Sequence, residues 1–230
     1  MPTPSASLKR HLQLLKELRG SGRVAPPRLA ELKAWQSTRL HRTYDDVATQ
    51  PRYRAATSFF LDDLYGPKDF SGRDQAMLRI VPVMTRILPA SALETASLAI
   101  ELEALSEDLD QRVAAALHAG PIDEEGYGAA YRNGSTRAER ERQIELIVAV
   151  GERLDALVKK PMVARMLRLM RTPASVAGLQ DLQEFLERGF EAFRAMHGAG
   201  DFLALVRSRE TDILSRLFSG RSLASSPPRA

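Results

Sequence analysis

The sequence contains no cysteine. Thiol catalysis, cysteine-ligated zinc, iron–sulfur clusters and disulfides are thereby excluded, and a reducing compartment is the natural fit. No stretch approaches the roughly 18 consecutive apolar residues that a membrane span requires. The opening MPTPSASLKRHLQLLKELRG has no apolar core between its charges and no small-residue cleavage site, so no secretory signal is expected and the cytoplasm is the expected location. Histidine is scarce: there are four, and none stands three positions after a glutamate. The paired Glu-x-x-His motifs of di-metal helical bundles are therefore missing. Walker, Ser-His-Asp and His-Glu-x-x-His patterns are missing as well, and Gly126-Tyr127-Gly128 has no strand before it to make a phosphate loop. Period-two alternation and fixed-length repeats are also lacking.

What is present is enough for a large core. A chain of 230 residues buries roughly 70 % of its unfolded surface and needs neither metal nor disulfide to be stable. The net charge of +4 conceals a segregation: residues 1–54 hold 11 basic and 4 acidic side chains, residues 55–130 hold 5 and 13, and residues 131–230 hold 17 and 12. One reading is a basic surface for nucleic acid or anionic lipid. The other, favoured by the spread of these charges along amphipathic helices, is that basic helices dock on acidic ones.

Apolar periodicity predicts an all-α chain of about nine helices, with a single domain over 1–219, a candidate sub-boundary near 120 and a disordered tail at 220–230. Leu8, Leu12, Leu15 and Leu18 mark a helix over 5–19, and a second runs from Pro26 and Pro27 to about Thr49. A third opens at Pro51 and stops at Gly66-Pro67. A fourth, over 71–88, is capped by Asp69 or by Ser71 with Asp74, and is kinked by Pro82. The longest, near 91–119, is apolar on two sides and so is expected at the centre. Beyond it come helices over 123–132 (capped by Asp123), from the Thr136–Glu139 capping box to about Lys160, over 162–171, over 175–196, and over 201–218 with Asp201 as cap.

Chemistry is concentrated in residues 51–89. On a wheel of about 100° per residue, Phe60 heads the apolar stripe of the third helix, Asp63 borders it and Asp62 faces away. Arg73 lies on the apolar side of the fourth helix, and Glu94 and Glu101 lie beside a stripe of the fifth, which predicts a buried network of Arg73 with Asp63, Glu94 and Glu101. The same region could instead hold a pocket lined by Tyr53, Phe59, Asp63 and Glu101. His41, near Tyr44 and Tyr53, would be its haem ligand or would join the carboxylates on a metal, although a hydrogen-bonded packing role is the commoner one for a lone histidine near aromatics. Lys159-Lys160 followed by Arg165, Arg168 and Arg171, interleaved with Met162, Met166 and Met170, makes a basic methionine-striped helix. It suits an anionic membrane, an acidic partner or nucleic acid, or else fills the core.

The block FFLDDLYGPKDFSGRD, followed by LRIVPVMTRILP and IELEALSEDLD, resembles a family of uncharacterised bacterial proteins. The likeness is strongest over about residues 50–112, and the run from Tyr65-Gly66-Pro67 to Arg73-Asp74 is its most specific part. It implies a bacterial, cytoplasmic, helical protein and assigns no catalytic residue and no cofactor. Together these readings lead to a non-enzymatic helical interaction protein, acting as a homodimer or with another protein. The alternative is an enzyme or ligand carrier with a haem or carboxylate-bound metal between the helices at 51–65, 71–88 and 91–119.

Overall fold

Apolar periodicity becomes helix wherever the computed structural model describes the chain, over residues 3–20, 26–64, 88–176 and 178–223. In order these are α1 (Pro4–Gly20), α2 (Pro26–Ala48), α3 (Arg54–Ser58), α4 (Ala90–Ala116), α5 (Glu124–Gly134), α6 (Arg137–Val158), α7 (Pro161–Val176), α8 (Gln180–Ala195) and α9 (Gly200–Phe218). The fold is all-α, and no strand occurs among the described residues. The helix expected over 71–88, with its caps and Pro82, lies outside them except for Leu88, which is not helical.

α4 is the axis because it is apolar on two sides. Leu93, Ile100 and Ala104 receive Leu8, Leu12, Leu15 and Leu18 of α1. Farther along, Val113 and Ala114 pack with Leu32 of α2, Tyr127 and Tyr131 of α5, Ile144 of α6 and Leu214 and Leu217 of α9. A third cluster joins Val148 of α6 to Phe193 and Met196 at the end of α8 and to Phe202, Leu203 and Val206 of α9, and is closed by Tyr44, Val47, Ala56 and Leu61.

The helix ends show which local signals act. Thr3, rather than Ser5 or Ser7, caps α1, its Oγ1 accepting from the Ala6 amide at 3.3 Å. Asp123 caps α5, accepting from the Gly126 amide at 2.7 Å. Asp201 does not cap α9: that helix starts from Ala199, and Asp201 pairs with Arg52 at 3.2 Å instead. Pro173 does not end α7, which runs on to Val176; Gly178, at φ +68°, makes the turn that α7 could not.

The Thr136–Glu139 capping box forms in full at the start of α6. Arg112 of α4 also donates to Glu139 at 2.8 Å, and this hydrogen bond, with the Thr136 amide and hydroxyl, holds the carboxyl down at about 2 from an ordinary value of 4.5. A carboxylate depressed by folding stabilises the fold above its unfolded pKa and loses that contribution as pH falls through the folded one. Glu139→Gln should therefore lower the melting temperature at pH 7, with the gap from wild type closing between about pH 4.5 and about pH 2. A gap that stays constant over that range would separate the cap from the charge. Thr136→Ala should cost about 1 kcal/mol at pH 7.

Candidate functional site

Among the described residues, those singled out by sequence do not converge. Glu94, expected at a buried border, is exposed and pairs with Arg153 at 2.9 Å. Glu101, half-buried, pairs with Arg142 at 3.0 Å. Both partners are on α6, so the acidic side of α4 meets a basic helix in the way the charge segregation allows. His41 is exposed on α2 with its Nε2 3.6 Å from Asp62, which faces solvent as expected. Tyr53 packs on Phe202 with ring centroids 5.7 Å apart, and Phe59 on Phe185 at 5.2 Å. Arg73 and the Asp63 side chain lie outside the described residues.

The wheel sets Phe60 at the head of the apolar stripe, and the structure turns it partly out for a physical reason. α3 passes directly into a π-helical turn, Phe59–Leu64, whose wider winding breaks the assumed step. Phe59 and Leu61 are buried, while Phe60 is half-buried between Phe193 and Phe202. The Phe59 ring lies over Gly189 of α8, where a Cβ would come within 2.7 Å of it.

A polar seam runs through the interior beside α4, built from residues that sequence reasoning passed over. Lys33, Gln36 and Arg39 stand at three-residue spacing on α2. Lys33 donates to Glu107 at 2.8 Å, Gln36 to Asp110 at 2.9 Å, and Arg39 to both oxygens of Glu210 at 3.1 Å. Gln111 donates to Glu107 at 3.0 Å and to the Leu18 carbonyl at 2.8 Å. Arg140, buried, donates to Ser135 and Gln143 and lies 4.2 Å over the Tyr131 ring. The spacing of Glu103, Glu107 and Asp110 on α4 was the available signal, since it puts three acids on one side of a central helix.

The electrostatics of the seam lock it. Burial works against the Glu107 carboxylate, but Lys33, Gln111 and Arg19 outweigh it and hold the group below the ordinary range. Burial pushes the Asp110 carboxyl up against the pull of Arg140, Gln36 and Lys33. It also raises Tyr44, Tyr127 and Tyr131, which stay protonated at neutral pH. Glu107 is thus committed to Lys33 and Arg19, and Glu210 to Arg39. Among the described residues no group of three histidines or carboxylates gathers that could hold a metal ion. An open groove of about 620 Å³ follows the outer angle between α6 and α9, past Val148, Glu152, Ala204 and Arg207, away from the seam.

The surface is less settled on the α7–α8 hairpin. Four large apolar side chains are exposed among the described residues, and three are here: Met162 at 55 % and Leu169 at 77 % on α7, and Leu186 on α8. α7 rests on α8 and more lightly on α6. Gln183 donates to the Leu167 carbonyl at 2.7 Å, Arg171 pairs with Glu187 at 2.7 Å, and Lys160 reaches Ser91 at 3.2 Å. Val163, Met166, Leu167 and Met170 are half-buried. The methionine stripe is thus core along one side and open at its edge. Arg165 and Arg168 make no hydrogen bond or ion pair among the described residues, and no acidic residue occurs between Asp155 and Asp181.

A family model described as a domain of unknown function matches residues 17–224. Neither a curated protein nor a solved structure matches the chain.

Proposed function

The chain belongs to that family, DUF8198, and from this premise we propose that it is a non-enzymatic helical binding protein of a bacterial cytoplasm, whose basic helix α7 meets the anionic surface of a macromolecule or membrane. One observation carries the reading. Leu169 and Met162 stand outward, seven residues apart, beside two arginines that have no partner among the described residues. Covering a side chain of this size is worth about 1.5–3 kcal/mol. A large apolar residue held in water beside free cations is therefore a surface that gains by being covered.

The interior supports the same reading. Its carboxylates are engaged by the chain's own Lys33, Arg19, Gln36 and Arg39, so the seam acts as framework. The rival reading, a haem or metal pocket, draws nothing from Glu94 and Glu101, which turn to Arg153 and Arg142. A second copy of the chain is a poor occupant for the α7 edge, because Lys159, Lys160, Arg165, Arg168 and Arg171 would face their own duplicates.

At about 50 mM salt the full chain should bind at least one of three anionic probes: vesicles containing phosphatidylglycerol, duplex DNA or polyglutamate. Arg165→Glu with Arg168→Glu should weaken that binding about tenfold or more while leaving the melting temperature within about 2 °C, since both residues are exposed. Binding to none of the three removes this function.

A further inference from the structure

The α7 edge also indicates which kind of anionic surface it meets, and this step rests on the function just proposed. On a wheel with Met162 at zero and about 100° per residue, Leu169 falls about 20° to one side, Arg165 about 60° and Arg168 about 120° on that same side. On the other side Met166, Met170, Val163, Ala174 and Leu167 run from about 40° to about 140°. Ala174 is buried and the rest of that group half-buried. The exposed apolar residues therefore form the outer margin of the apolar face, and the arginines begin where the apolar residues stop.

We propose that this margin is an interfacial docking surface for an anionic lipid bilayer, α7 lying along the membrane plane with Met162 and Leu169 at the acyl boundary and Arg165 and Arg168 among the phosphates. A helix lying in the interface needs an apolar strip bordered by cations, and it does not need the length or hydrophobicity of a span. No described helix of this chain is long and apolar enough to cross a membrane. The unbranched methionine adapts to irregular apolar surroundings.

The alternatives fit the same residues less well. An acidic amphipathic peptide is held in a groove with apolar walls on both sides. Met162 and Leu169 instead project from one helix, at the open margin of its packed face. A nucleic-acid backbone takes up the arginines but leaves two large apolar side chains against phosphate and water. Two protruding side chains and a few cations give weak, reversible attachment that depends on anionic lipid and falls with salt.

The test is co-sedimentation of the full chain with phosphatidylcholine vesicles and with vesicles in which about 30 % of the lipid is phosphatidylglycerol, beside duplex DNA and polyglutamate. The wild type should bind the anionic vesicles and leave the neutral ones, with binding abolished at about 500 mM salt. Met162→Ser with Leu169→Ser and, separately, Arg165→Glu with Arg168→Glu should each lower vesicle partitioning about tenfold with unchanged far-ultraviolet circular dichroism. Vesicle binding that survives the serine pair overturns the proposal, because the apolar edge is then not what docks. Arginine-dependent binding to DNA or polyglutamate without vesicle binding also overturns it, yet leaves the anionic-partner function standing. Failure with every probe removes both.

Discussion

Gly134→Ala should be among the most damaging single-methyl additions available in this chain, lowering stability by about 3 kcal/mol or more, the upper end of what overpacking costs. Gly134 is the last residue of α5, where that helix meets the central helix α4. A Cβ there would stand 2.7 Å from the Val113 amide nitrogen and 2.8 Å from the Arg112 carbonyl carbon and the Val113 Cα. All three are backbone atoms in the body of α4, which cannot rotate aside as a side chain can. Relief requires moving α5 off the axis, which would open the contacts of Tyr127, Ala130 and Tyr131 with Val113 and Ala114. For a chain of this length the cost corresponds to a fall of roughly 6–12 °C in melting temperature. Gly151→Ala is the control. Its Cβ would collide with Leu203 Cδ2, the far end of a flexible side chain, and the penalty should be clearly smaller. If the two variants melt together, α4 and α5 do not cross as described.

How much of this was legible in the sequence depended on how far apart the interacting residues lie. The central helix could be read because its cause is local: apolar residues on two sides across some 28 residues predict 91–119, and the helix runs Ala90–Ala116. The Thr136–Glu139 box was legible for the same reason, both halves lying within four residues. The seam was not, because Lys33 and Glu107 are 74 residues apart and each looks solvent-facing on its own helix. Sequence reasoning expected Glu94 and Glu101 to be the partly buried acids of α4; Glu101 is half-buried and Glu94 exposed, while the acid that is fully buried is Glu107, at 5 % exposure. The difference is made by partners: Lys33, Arg19 and Gln111 can follow Glu107 inward, whereas Arg142 and Arg153 hold Glu101 and Glu94 at the surface of α6. The π-helical turn at Phe59 escaped because a wheel assumes one constant step. On α7 the sequence offered both core and surface, and the packing divides the stripe between them.

Glu210→Ala should be comparably severe, for an electrostatic reason. Glu210 of α9 accepts both contacts of Arg39 at 3.1 Å and the Tyr44 hydroxyl at 2.9 Å, with the Arg39 and Glu210 side chains only 18 % and 15 % exposed. Burial works to discharge Arg39, and Glu210 more than offsets it, raising the guanidinium above its ordinary value. The Arg39 Nε already lacks a partner, so removing Glu210 leaves a buried cation and a buried hydroxyl with nothing to accept from them. Breaking a buried pair from one side costs about 3–5 kcal/mol. An apolar exchange of both partners, Arg39→Met with Glu210→Leu, removes the stranded charge and should recover most of that loss, because the pair must overcome its own desolvation. The double-mutant cycle should show a coupling of at least about 2 kcal/mol. That coupling should hardly change between 50 and 500 mM salt, unlike any contribution from the exposed Arg153–Glu94 pair. Additive losses, or a coupling that vanishes with salt, would show that the Arg39–Glu210 pair does not help to join α2 to α9, leaving that to the Arg209–Asp46 pair and the apolar contacts.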